Sequence, residues 1–217
     1  MDCVEAKFSI VTPMFIGDGD SHTSSPQLRP PSIKGALRFW WRALRWYSLI
    51  EYFGDDSEAA LKELHSQEAT LFGSAADPND ARKGQSKVYL KLSEQSKTGG
   101  TISDWPQNND GGSGYIGYGL DRTQESSHRY AIKQGEFTLQ LILKNSVDEE
   151  QLQQLKDALK LWGMVGGLGS RSRRGFGSVA IQMLNGESCC FADENAYTTA
   201  LSQLIKVVSQ SNHIVYN

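Results

Sequence analysis

Cysteine is scarce in this chain: Cys3 and the adjacent pair Cys189-Cys190 are all it contains. Three cysteines make no disulfide framework, and none of their spacings is that of a zinc site. A reducing, cytoplasmic setting is therefore expected. No run of 18 or more apolar residues occurs, which excludes a membrane-spanning helix. The opening Met1-Asp2-Cys3-Val4-Glu5 lacks a basic segment followed by an apolar one, so no secretory signal is expected there. His65, His128 and His213 are scattered without ligand spacing, and neither a metal nor a cofactor is expected. Acids are missing from two windows. Residues 28–50 hold Arg29, Lys34, Arg38, Arg42 and Arg45 and no carboxylate. Residues 158–186 hold Lys160, Arg171, Arg173 and Arg174, again without one. Against a total of −3, those nine cations leave −12 on the rest of the chain. Two basic surfaces on an acidic body follow, and local potential rather than net charge decides whether phosphates bind.

What is present is a globular chain of 217 residues, 39% hydrophobic and 22% charged, the size of one domain with elaborations. Period-two alternation marks strands at residues 4–12, 88–92, 137–144 and 179–183. A helix is expected over residues 33–53, with Ser32 as N-cap and Pro30-Pro31 fixing its entry. A second helix runs over 58–72 and ends at Gly73. Ser146-Val147-Asp148-Glu149 reads as a capping box for a helix that buries Leu152, Leu155, Leu159 and Trp162. Leu201, Leu204, Ile205 and Val208 suggest a last helix. The resulting order, β-α-β-β-α-β, predicts an α+β fold of ferredoxin-like (RRM-like) type. An antiparallel sheet would carry helices on one face. We place this domain at residues 1–185. Residues 186–217 form a helical extension or the start of a second half.

On the first helix, Lys34, Arg38, Trp41, Arg42 and Arg45 fall within about 100° of arc. Ile33, Leu37, Phe39, Trp40 and Leu44 belong to the opposite, core-facing side. The cationic face is either solvated and paired with acids elsewhere, or a phosphate track with an indole for stacking. The second feature is the run from Gly163 to Gly177. Gly166, Gly167 and Gly169 would let a ligand approach the backbone. Arg171, Arg173 and Arg174 bring charge and Phe176 an aromatic ring. The run follows a helix rather than preceding one, so it is neither a Walker loop nor a dinucleotide fingerprint. RNA backbone contact is the expectation. Gly114-Tyr115-Ile116-Gly117-Tyr118-Gly119 is either a stacking finger or an ordinary loop. Asp18, Asp20 and His22 are a polar turn or, for nuclease chemistry, a general base or metal site.

Three segments resemble the RAMP superfamily of CRISPR systems, and most of all the first RAMP subunit of type III-B Cmr effectors. They are Ser32-Ile-Lys-Gly-Ala-Leu-Arg-Phe-Trp-Trp-Arg-Ala-Leu44, Glu68-Ala-Thr-Leu-Phe-Gly73 and Gly167-Leu-Gly-Ser-Arg-Ser-Arg-Arg-Gly-Phe-Gly-Ser178. The resemblance implies a noncatalytic RNA-binding subunit of an antiviral ribonucleoprotein. Its partners would be guide RNA, single-stranded target RNA and the other Cmr-complex subunits. Members usually carry two ferredoxin-like halves, and this chain shows one. Two rival functions follow from the same residues: a RAMP endoribonuclease that processes guide RNA through His22 or Asp18, and a purely structural assembly subunit.

Overall fold

The computed structural model describes residues 3–16, 26–54, 56–75, 84–96, 101–102, 112–118, 120, 130–144 and 146–210. In chain order the elements are β1 (Cys3–Ile10), α1 (Pro30–Tyr52), α2 (Ser57–Phe72), β2 (Val88–Ser96), β3 (Thr101–Ile102), α3 (Gly112–Ile116) and β4 (Ala131–Ile132). They continue with β5 (Gly135–Leu143), α4 (Glu149–Val165), a 3₁₀ turn at Ser172–Arg174, β6 (Val179–Leu184), β7 (Glu187–Ser188) and α5 (Glu194–Gln210). Five strands form one antiparallel sheet in the order β2-β5-β1-β6-β7, and β3 pairs with β4 in a separate ribbon. The long polar segment before residue 131 therefore contains short elements of its own.

Alternation along β1 buries Val4, Ala6, Phe8 and Ile10. Their register partners Leu141, Leu139 and Phe137 on β5 are buried as well. The inward face of the sheet shares one apolar core with α1, α2 and α4. Its centre is aromatic: the Phe8 and Phe137 rings stack at 5.2 Å, and Trp162 from α4 lies 4.7 Å from Phe8. The outward face is polar and paired within itself. Lys7 meets Glu136 at 2.9 Å, Gln140 donates to Glu5, and Gln182 donates to Ser9. RNA recognition on an open sheet face needs aromatic rings for stacking. Here Phe8 and Phe137 are turned inward, and the one described outward ring, Tyr89 on β2, is 37% exposed and lies under the Lys144 ammonium at 5.6 Å; a single ring makes the sheet face a weaker candidate than the arginine turn.

Helix entries differ from the sequence expectation in register. α1 begins at Pro30, with Arg29 at the N-cap position and no side-chain cap. The two prolines fill the first turn, where no N–H has an intrahelical partner to lose. α2 is capped by Asp56, which accepts from the amides of Glu58 and Ala59. The capping box of α4 is Asp148 with Gln151, two residues beyond the predicted one. α5 does not stand apart. Leu204 joins the main core, and the Tyr197 hydroxyl donates to the Met164 carbonyl at 2.8 Å. Among the described residues, no helix is long and apolar enough to cross a membrane.

Candidate nucleic-acid interface

The cationic flank of α1 is turned toward α2 and α4 rather than outward. Arg38 Nε donates to Glu68 Oε1 at 2.7 Å, and Arg42 Nη1 reaches the same oxygen at 3.2 Å. Glu68 is 5% exposed, on the face that α2 presents to α1. Arg45 is buried, donates twice to Gln67 Oε1 and lies 3.7 Å from Glu150 Oε1. Trp41 is 1% exposed; its ring meets Phe72 edge-on and its Nε1 donates to Gln154. An indole so enclosed has no face left for a base. The expected track of Arg38, Trp41, Arg42 and Arg45 is thus largely structural. Arg38 and Arg42 keep about two-fifths of their side-chain surface exposed, sharing one carboxylate between two guanidinium groups. Lys34 has no carboxylate partner among the described residues. Burial, and then the Arg38 guanidinium one turn on, hold its ammonium below the usual lysine range. These contacts also give two of the RAMP-like segments a physical reason: Glu68 of the second is shared between Arg38 and Arg42 of the first.

The glycines of the turn serve the protein's own packing. Gly169 (φ +92) and Gly177 (φ +62) occupy backbone conformations that side chains rarely adopt. An added Cβ would lie 2.5 Å from the Phe15 carbonyl oxygen at Gly169 and 2.0 Å from that of Leu168 at Gly177. Gly166 is wedged against Trp162 and the Trp40 Nε1, and Gly167 against the Gly177 carbonyl. Several amides of the turn are spent internally: Gly166 N–H donates to Trp162 O, Leu168 N–H to Gly177 O, Ser170 N–H to Phe15 O and Gly177 N–H to Pro13 O. Phe176 is buried in a small cluster with Phe15, Leu120 and Ala131. Gly166 and Phe176, expected to face a ligand, are buried in the turn's own packing, whereas Gly167 and Gly169 are half-buried.

What they build presents arginines. Arg171, itself at φ 58, donates from Nη2 to the Tyr118 carbonyl at 2.6 Å. Arg173 and Arg174 are exposed. The Arg173 guanidinium lies over the Phe39 ring at 4.9 Å. None of the three has an ion-pair partner among the described residues. Gly175, beside them, has open space where a Cβ would be. The turn and α1 therefore do meet, but through Arg173 on Phe39 and Gly166 on Trp40, not through the Arg38–Arg42 flank. Phe39 was expected in the core and is 38% exposed. The legible signal is Pro31, Gly35, Phe39, Ala43 and Tyr47, a stripe at every fourth residue that the structure leaves outside.

The remaining candidates separate. Tyr115 and Tyr118 are exposed beside the turn. Asp18, Asp20, His22, His128 and His213 lie outside the described residues. Among the described residues no group of three or more His, Cys, Asp or Glu is placed to hold a metal ion. Burial pushes the Cys189 thiol up, with Lys160 pulling the other way, so that thiol is a weak nucleophile.

The model of the RAMP superfamily matches residues 7–180. CRISPR system Cmr subunit Cmr1-2 of Pyrococcus furiosus is 31% identical over 204 residues, which take in 83% of this chain and 96% of that protein. Cmr subunit Cmr1-1 of the same organism is 32% identical over 167 residues, 75% of this chain but 43% of the relative. The crystal structure of apo Cmr1 from Pyrococcus furiosus superposes with a TM-score of 0.66 at 24% identity, over 96% of this chain and 60% of that one. A chain of the type III-B Cmr-beta complex bound to cognate target RNA gives 0.62 at 16% identity, over 96% and 62%. At those identities the two structures share the fold with this chain. The chain thus spans nearly all of one relative and less than two thirds of the others.

Proposed function

The chain belongs to the RAMP superfamily, and from that premise we propose that it is a noncatalytic RNA-binding subunit of a type III-B CRISPR ribonucleoprotein effector. It holds guide RNA, single-stranded target RNA or both, alongside other Cmr-complex subunits, in cytoplasmic antiviral defence. Two relatives named as Cmr subunits, and a fold shared with a Cmr complex solved on target RNA, support the reading. We read the strand order β2-β5-β1-β6, with α1 following β1 and α4 following β5, as ferredoxin-like.

One observation carries the RNA-binding part: Arg173 and Arg174 stand exposed at open Gly175, without carboxylate partners among the described residues, with Arg173 laid over Phe39. Guanidinium forks bind phosphate bidentately, and stacking on a ring preorients one of them. Binding through phosphates is salt-dependent and weakly sequence-specific. A titration of the full chain against a single-stranded oligoribonucleotide over a salt series tests this. Arg173→Ala with Arg174→Ala should weaken binding and flatten the log K against log salt slope by about 1.4, at about 0.7 per phosphate contact on a single strand. An unchanged slope removes the turn from the RNA. The noncatalytic part is tested by incubation with repeat RNA, with and without a divalent metal. Cleavage lost in His22→Ala would transfer the chain to the endoribonuclease class.

A further inference from the structure

Two large rings stand beside the arginine turn, and among the described residues neither makes a ring contact or a side-chain hydrogen bond. Tyr115 is 81% exposed and Tyr118 74% exposed. Tyr115 lies on α3 and Tyr118 in the turn just after it, where the Tyr118 amide donates to the Tyr115 carbonyl at 3.4 Å. Five residues of α3 do not hold such a turn by themselves, because an isolated helix this short is far from stable. Two contacts with the neighbouring segment hold it instead. The first is the 2.6 Å bond from Arg171 to the Tyr118 carbonyl. The second is apolar: Leu120, two residues on, is 2% exposed in the cluster with Phe15, Ala131 and Phe176. Phe176 belongs to the glycine-rich turn, and its ring meets Phe15 edge-on at 5.9 Å. The tyrosines and the arginines therefore ride on one small shared core.

We propose that Tyr115 and Tyr118 form a stacking finger for unpaired nucleobases of the same RNA strand whose phosphates Arg173 and Arg174 hold, an inference that rests on the RNA-binding reading above. Every base has a π-face, so a tyrosine pair binds without demanding a sequence. In an A-form duplex those faces are hidden by stacking, whereas a single strand can splay its bases onto aromatic side chains. Arginines alone would hold a phosphate backbone of either kind. Arginines joined to a tyrosine finger select a strand whose bases are free. The ligand class is single-stranded RNA, and the finger is what distinguishes it from duplex.

Three probes of equal length separate the terms: a single-stranded oligoadenylate, the corresponding abasic ribose-phosphate strand, and an RNA duplex. The wild-type chain should bind the base-bearing strand more tightly than the other two. Tyr115→Ala and Tyr118→Ala should each lower affinity for oligoadenylate between about fivefold and a hundredfold. Affinity for the abasic strand, the salt slope and the melting temperature should stay in place. Tyr115→Phe and Tyr118→Phe should retain binding, since the ring and not the hydroxyl is used. Equal loss on the abasic strand would overturn stacking, because the finger would then act through the turn. Undiminished oligoadenylate binding in both alanine variants would overturn it too. If those variants instead released a protein subunit from the assembled complex, the finger would be a protein contact and the proposal would fail. Arg173→Ala with Arg174→Ala should weaken all three probes. If that pair changes nothing, the parent RNA-binding reading fails first, an outcome separable from failure of the tyrosines alone.

Discussion

The flank of α1 and the glycine-rich turn are alike in sequence: several arginines, neighbouring aromatics, no acid within reach along the chain. In space they differ. On α1 the acids arrive from other helices, with Glu68 between Arg38 and Arg42 and Glu150 beside Arg45. At the turn the arginines meet a carbonyl and a ring, which satisfy or orient them without cancelling their charge. A basic run is thus an interface candidate only after the rest of the fold has been asked whether it supplies the counter-charge. The first run holds the molecule together, and the second is free to hold something else.

The contrast can be broken at α1 first, where the largest effect is expected. Arg38→Ala with Arg42→Ala leaves the Glu68 carboxylate buried without its partners. Stability should fall by about 3 kcal/mol, a melting temperature lower by roughly 6–12 °C for a chain of this size. Thermal melts of the variant and the parent decide it, and an unchanged melting temperature would mean that this flank is a solvated surface after all. Next comes the scaffold of the turn. Gly177→Ala forces a side chain into φ +62 against the Leu168 carbonyl, and should cost about 1–3 kcal/mol in denaturant titration. Arg173→Ala with Arg174→Ala, the counterpart of the α1 pair, should move stability by less than about 0.5 kcal/mol per site while altering RNA affinity.

The smallest effect sharpens the comparison inside α1 itself. Lys34 is crowded by burial and by Arg38, so the folded state gives up its proton more readily than the unfolded chain does. The unfolded chain then binds more protons below the ordinary lysine range, and stability rises as the pH climbs toward it. Lys34→Gln should remove that rise and gain about 0.2–0.5 kcal/mol at neutral pH, the cost of a like-charged pair one turn apart. A less stable variant would instead mean that Lys34 is held by an acidic partner.

Much of the fold was legible because strand and helix periods are local properties. The alternation Val4, Ala6, Phe8, Ile10 named the inward face of β1, and Leu155, Leu159 and Trp162 named that of α4. Caps were legible only in kind. Asp148 lies two residues beyond the expected cap of α4, since several nearby polar residues can accept the same amides, whereas the Ser32 expected to cap α1 gives way to Arg29 with no side-chain bond. Trp41 and Phe39 exchanged places. A helical wheel weighs polarity, and a run with tryptophan among arginines and phenylalanine among alanine and glycine misleads it. Burial went to the indole whose N–H could reach Gln154. Exposure went to the ring that could lie beneath Arg173.

By itself the sequence determined the four long strands and the four long helices, the segments that match the RAMP superfamily, and the two places where positive charge gathers. Those follow from residue spacing along a chain, and spacing is all a sequence holds. Only the tertiary structure decided which charge remains. Glu68 lies thirty residues from Arg38 and 2.7 Å from it, and no local rule connects the two. Electrostatics acts over distance in space, so the choice between a pillar and an interface was made when the helices packed.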